Sequence, residues 1–68
     1  MINSRKIKAR MVEKGLTQKD IANVMGIRTP TVSQKINNIR PMYLKEAEKI
    51  VEALEIPLED FSLYFFSN

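Results

Sequence analysis

Apolar positions recur along this chain at helical intervals, punctuated by two glycines and three prolines. Ile7 and Met11 stand four apart, Val12 extends the stripe, and Asn3 or Ser4 can cap a helix reaching about Lys14. Gly15 follows where a left-handed C-terminal cap belongs. Thr17 can cap a second helix, with Asp20 in its first turn where a carboxylate suits the helix dipole. Ile21, Val24 and Met25 form its i, i+3, i+4 face, Ala22 lies beside them, and Gly26 ends it.

Thr29 can cap a third helix, with Pro30 in the first turn, where a missing N–H costs no hydrogen bond. Val32 and Ile36 carry that helix to about Asn37, and a loop from Asn38 to Tyr43 follows. A fourth helix is predicted over Leu44 to Glu55, with Leu44, Ala47, Ile50, Val51 and Leu54 on one stripe. Pro57 starts a last short helix, one face of which can bury Leu58, Phe61 and Phe65. Strand-like alternation is scarce, and no linker, repeat or low-complexity stretch interrupts the pattern. The prediction is an all-α, compact five-helix bundle in a single domain spanning residues 1–68.

Composition narrows the function. At 68 residues, a chain buries only about 60% of the surface it exposes when unfolded. The absence of Cys removes disulfides, thiolate nucleophiles and sulfur-ligated zinc. The absence of His removes the commonest general base and metal ligand. A binding module is expected rather than an enzyme, with no cofactor, no metal and no small-molecule ligand evident. Arg5, Lys6, Lys8 and Arg10 precede no apolar core of the kind a signal peptide needs, and no run is long enough to span a bilayer. The expected location is cytoplasmic, with no membrane partner.

The net charge of +3 conceals an asymmetry. Residues 1–40 hold nine Lys or Arg against Glu13 and Asp20, a net +7, whereas residues 41–68 hold two Lys against six acids, a net −4. That division suggests a basic working face and an acidic back.

Thr17 to Asn37 is the informative segment: an amphipathic helix ends at a glycine, and a second short helix begins three residues later. Small Ala22 suits a steep helix crossing, and Gly26 supplies the positive φ of a tight turn. With Val32 and Ile36 buried, Thr29, Pro30, Ser33 and Gln34 should point outward, as a helix-turn-helix probe of the major groove requires.

The stretches "GLTQKDIANVMGIRTPTVSQKIN", "RP" and "LKEAEKIVEALEIPLEDF" resemble the phage Cro/repressor helix-turn-helix proteins and related XRE-like bacterial regulators. The resemblance covers about Ile7 to Phe65 and implies a lambda-repressor-like DNA-binding domain. It implies that Gln18 contacts a phosphate, and that Arg28 sits by the backbone or the groove edge. It places Thr29 and Pro30, then Ser33 and Gln34, in base-facing turns, with Thr31 and Lys35 in the same DNA-binding set. It implies that Asn37, Asn38 and Arg40 hold the sugar–phosphate backbone. Gln34 is suited to a bidentate contact with adenine, and Thr29 and Pro30 to thymine methyls.

The chain departs from the family in three places. Pro30 is unusual at a base-facing position. Asn38 stands where a glycine often ends the motif. The buried Arg–Glu pair that links the first and third helices in many relatives has no counterpart, and Met11 suggests an apolar substitute.

Four of the five aromatics fall in the last eight residues, and Tyr64, Phe65 and Phe66 are expected to form a dimer contact. The expected function is a sequence-specific regulator, a repressor, that binds a pseudo-palindromic double-stranded DNA operator as a homodimer. The chain would serve equally as the N-terminal half of a longer repressor. The alternatives are an antitoxin-like protein of the same fold that neutralises a partner toxin, and a protein-interaction module without DNA binding.

Overall fold

A computed structural model describes residues 1–66. Its helices are α1 (Ser4–Lys14), α2 (Gln18–Met25), α3 (Thr29–Ile36), α4 (Leu44–Leu54) and α5 (Phe61–Phe65), with a single 3-10 turn at Leu58–Asp60 leading into α5. No strand occurs among the described residues. The architecture is the expected all-α arrangement of five helices.

Local chemistry sets most of the boundaries. The Asn3 side-chain oxygen accepts from the Lys6 N–H at the start of α1. Thr17 and Asp20 form a reciprocal capping box at the start of α2. Gly15 and Gly26 end α1 and α2 at φ +66° and +70°, and a Cβ at either would meet nothing within 4 Å. What glycine contributes there is the left-handed backbone rather than space.

The start of α3 differs from expectation: Thr29 is its first residue and does not cap it. Pro30 has no N–H, and the Arg28 carbonyl already accepts from the N–H groups of Thr31 and Val32. The first turn therefore leaves no N–H for the Thr29 hydroxyl to accept. At the far end Asn38 takes φ +63°, the left-handed conformation that Asn adopts next most readily after Gly. At the end of α4, Glu55 turns left-handed at φ +52°. There the Arg10 guanidinium donates to the Leu54 and Glu55 carbonyls at 2.9 and 2.7 Å, satisfying groups a helix end leaves open.

The core joins Ile7 and Met11 of α1, Ile21, Ala22 and Met25 of α2, Val32 and Ile36 of α3, and Ala47, Ile50 and Leu54 of α4. Helix α2 lies in the middle, packed on both α3 and α4. Ile2, Ile56, Tyr64 and Phe65 close one end. The Asn3 N–H donates to the Tyr64 carbonyl at 2.7 Å, so the start of the chain is tied to α5.

Four residues assigned to apolar stripes are exposed instead: Val12, Val24, Leu44 and Leu58. Leu58, the first residue of the 3-10 turn, lies on the same side as Phe61 three residues on, at the rim of a groove along α4 rather than in the core. Leu54, fully buried at the centre, reports on the whole core: Leu54→Ala should cost about 2–5 kcal/mol in urea denaturation.

Candidate nucleic-acid interface

Helices α2 and α3 are joined by three residues, Gly26, Ile27 and Arg28. The Ala22 carbonyl accepts from the N–H groups of both Gly26 and Ile27, the latter at 3.1 Å, so the turn is bonded back onto α2. Val32 and Ile36, fully buried, hold α3 against the core. At about 100° per residue, that places Pro30 and Gln34 on the opposite face. Pro30 is exposed, and the Gln34 side chain, half-buried, makes no hydrogen bond among the described residues. Its backbone carbonyl is engaged, accepting from Ile39 and Arg40.

The remaining sequence-predicted residues divide into two groups. Gln18, Arg28, Thr29, Thr31 and Arg40 have side chains without an internal partner among the described residues, and Arg28 and Arg40 are exposed. Gln18 is the first residue of α2, where its N–H and that of Lys19 precede the first intrahelical bond, Ile21 N–H to Thr17 carbonyl. Asp20 lies in the same turn, and the Thr17 N–H, then the Thr17 hydroxyl, hold its carboxyl below the ordinary range.

The second group is occupied inside the molecule. The Asn37 amide donates to the Ser33 carbonyl at 2.8 Å and lies 3.4 Å from the Ser33 hydroxyl, and its oxygen accepts from the Lys8 ammonium at 2.7 Å. Asn38 is bonded to the chain start: its oxygen accepts from the Ile2 N–H, and its amide donates to the Ile2 carbonyl and the Ser4 hydroxyl. Ser4 in turn donates to the Ile36 carbonyl. The Asn37 and Asn38 side chains fasten α3 to the N-terminal segment rather than standing open.

Lys35 departs furthest from expectation. It is 7% exposed, and its ammonium donates to Glu46 at 2.9 Å and to the Pro41 carbonyl at 3.0 Å while lying 4.7 Å from the Tyr43 ring centre. Its place at i+3 from Val32 and beside Ile36 puts it on the edge of the buried stripe, a signal present in the sequence. Glu46 also accepts from the Tyr43 N–H at the start of α4. Burial pushes its carboxyl up, but the Lys35 and Tyr43 bonds outweigh burial and hold it below the ordinary range. The chain therefore does contain a buried ion pair, although it joins α3 to α4. Between α1 and the end of α3 run the Ser4 bond to the Ile36 carbonyl and the Lys8 bond to Asn37, and Met11 lies in the shared core.

The cations of the first forty residues are sorted in the same way. Lys14 pairs with Glu55 at 2.6 Å, which holds the Glu55 carboxyl below its ordinary range. Arg10 caps α4 and approaches Glu13, and Lys6 lies over the Tyr64 ring. Arg5, Lys19, Arg28 and Arg40 are exposed and in no ion pair among the described residues. Lys8 sits beside the end of α3 through its bond to Asn37. The two are 29 residues apart, and no local pattern connects them. No three acidic, His or Cys groups cluster as metal ligands among the described residues.

The aromatic assignment is corrected in two of three positions. Tyr64 and Phe65 are buried in the chain's own core, and Phe66 is exposed. Beside Phe66 a groove of about 400 Å³ is bounded by Met1, Ile2, the Asn38–Met42 loop and Phe65. Ile39, in that loop, is 72% exposed.

The model of a family described as a protein of unknown function (DUF739) matches residues 2–68. No curated protein matches the chain.

Because the Glu46 carboxyl lies below its ordinary 4.5 when folded, its contribution is present above that value and is lost as pH falls through the folded pKa. Urea midpoints of the parent chain should drop across that acid window, and Glu46→Gln should flatten the drop. Lys35→Ala, which strands a partly buried carboxylate, should cost about 1–3 kcal/mol near neutral pH, and Lys35→Met should cost less.

Proposed function

The chain belongs to the DUF739 family, and we propose that it is a sequence-specific, double-stranded DNA-binding transcriptional regulator of the Cro/repressor helix-turn-helix type. It acts as a repressor, covering a pseudo-palindromic operator as a two-fold dimer. The observation that carries this reading is the outer face of α3. Pro30 and Gln34 lie opposite the buried Val32 and Ile36, the Gln34 amide has no partner among the described residues, and the exposed Arg28 and Arg40 flank the helix in no ion pair among them.

In this reading α3 enters the major groove and Gln34 pairs through its amide with adenine. Gln18, with the open N–H groups at the start of α2, holds one phosphate, and Arg28 and Arg40 hold others. Lys8 joins them from α1, whereas Lys35, Asn37 and Asn38 position α3 through their internal bonds.

The second copy is assigned to the surface formed by Ile39, Phe66 and Met1, three large apolar side chains exposed around one groove. Each copy measures 28 × 24 × 20 Å, so a side-by-side pair can present two α3 helices at the roughly 34 Å spacing of successive major grooves. The groove adjoins the end of α3, so dimer contact and DNA contact are mechanically close.

Selection of bound sequences from a random duplex pool tests the reading directly. A two-fold motif with half-sites about one helical turn apart is expected, and recovery of no enriched sequence would overturn it. Affinity for the selected duplex should fall steeply with salt. Gln34→Ala should cost about 1–3 kcal/mol and relax preference at one base pair per half-site. Phe66→Ser combined with Ile39→Ser should shift sedimentation toward monomer.

A further inference from the structure

A second apolar groove, of about 280 Å³, lies along α4 between Glu48, Val51 and Glu52 on one side and Leu58 and Phe61 on the other. Its volume falls just below the roughly 300–1,000 Å³ of pockets that enclose small molecules. It has room for one or two side chains of a partner rather than for a metabolite. Leu58, the first residue of the 3-10 turn, is 84% exposed at its rim.

The two charged residues that line the groove, Glu48 and Glu52, are both acidic. Glu48 and Glu52 stand four apart on α4, a like-charge spacing that disfavours an isolated helix, and Glu59 and Asp60 follow Leu58 directly. None of these four acids takes part in an ion pair among the described residues. Lys45 and Lys49 on the same helix, like Glu59 and Asp60 beyond Leu58, line no part of the groove. An exposed leucine between unpaired carboxylates complements a segment that carries an apolar anchor flanked by cations.

We propose that this groove is a docking site for a basic protein segment in which a leucine or a similar bulky side chain is flanked by Lys or Arg. The anchor packs on Val51, Leu58 and Phe61, while Glu48 and Glu52 pair with the flanking cations. The groove faces away from α3. At 100° per residue, Glu48 lies 200° around α4 from Glu46, the residue that bonds Lys35 of α3. A segment seated here leaves the Gln34 face of α3 free, so both surfaces can be occupied together. The site stands whether or not α3 reads DNA.

The test is an NMR titration of the isotopically labelled full chain with a short synthetic peptide of Arg and Lys around paired leucines, beside a twin with both leucines replaced by serine. Saturable shifts at Val51, Leu58 and Phe61, with the serine twin weaker by about tenfold or more, are expected. Glu48→Lys with Glu52→Lys should abolish them. Leu58→Ser, at an exposed position that can be changed without unfolding, should weaken them while leaving duplex binding unchanged. Shifts that do not saturate, that match for the two peptides or that map elsewhere would overturn the proposal. So would loss of the chain's own self-association in Leu58→Ser, which would assign the groove to a second copy.

Discussion

The Lys35–Glu46 pair is the contact on which the rest of the arrangement depends. Two charges withdrawn from water are tolerated only when nearly every bond they can make is made. Here the ammonium has Glu46, the Pro41 carbonyl and the Tyr43 ring, and the carboxylate has the ammonium and the Tyr43 N–H. One carboxylate oxygen, Oε1, thereby starts α4 and anchors α3, and the loop between them is held at its middle by Pro41. The direction in which Pro30 and Gln34 face follows from what holds the opposite side of α3 inward.

Much of the fold was legible in the sequence, because the signals involved are local. Asn3, Gly15, Thr17, Asp20 and Gly26 act within a turn of where they stand, and the helices begin and end beside them. Asn38 was legible for the same reason: its left-handed backbone is a property of the residue type. Periodicity misled where a second element decides burial. Val12 and Leu44 have the right spacing, but no neighbouring helix covers them. Leu58 keeps its three-residue spacing to Phe61, but it stands at the rim of a surface groove rather than in the core.

The candidate interface was legible in outline and misread in detail. The resemblance placed Lys35 among the DNA-binding residues, although its spacing from Val32 and Ile36 assigns it to the edge of the core. The Asn38 side chain and the Asn37 oxygen were read as open because their partners, Ile2, Ser4 and Lys8, stand 29 to 36 residues away in sequence. Counting charges by halves of the chain gave the correct sign of the asymmetry but overstated its strength at the surface. Arg10, Lys14 and Lys35 each answer an internal carboxylate or carbonyl, and the cations left outward are fewer than the sequence count. The acidic half is divided too: Glu46 and Glu55 are held in pairs, and Glu48, Glu52, Glu59 and Asp60 remain facing outward.

The side chain of Asn38 lies against the Ile2 peptide like one rung of a ladder, accepting from its N–H and donating to its carbonyl. Only an amide can do both, since a carboxylate has no hydrogen to donate. Asparagine is among the chemically labile residues, and hydrolysis of this one amide would set a carboxylate oxygen against the Ile2 carbonyl. That rung between the chain start and the end of α3 would be lost, leaving the Ser4 bond to the Ile36 carbonyl and the Asn3 bond to the Tyr64 carbonyl to hold the segment. A single nitrogen thus decides whether the Asn38 side chain grips both sides of the Ile2 peptide at the junction between the chain start and the helix that faces outward.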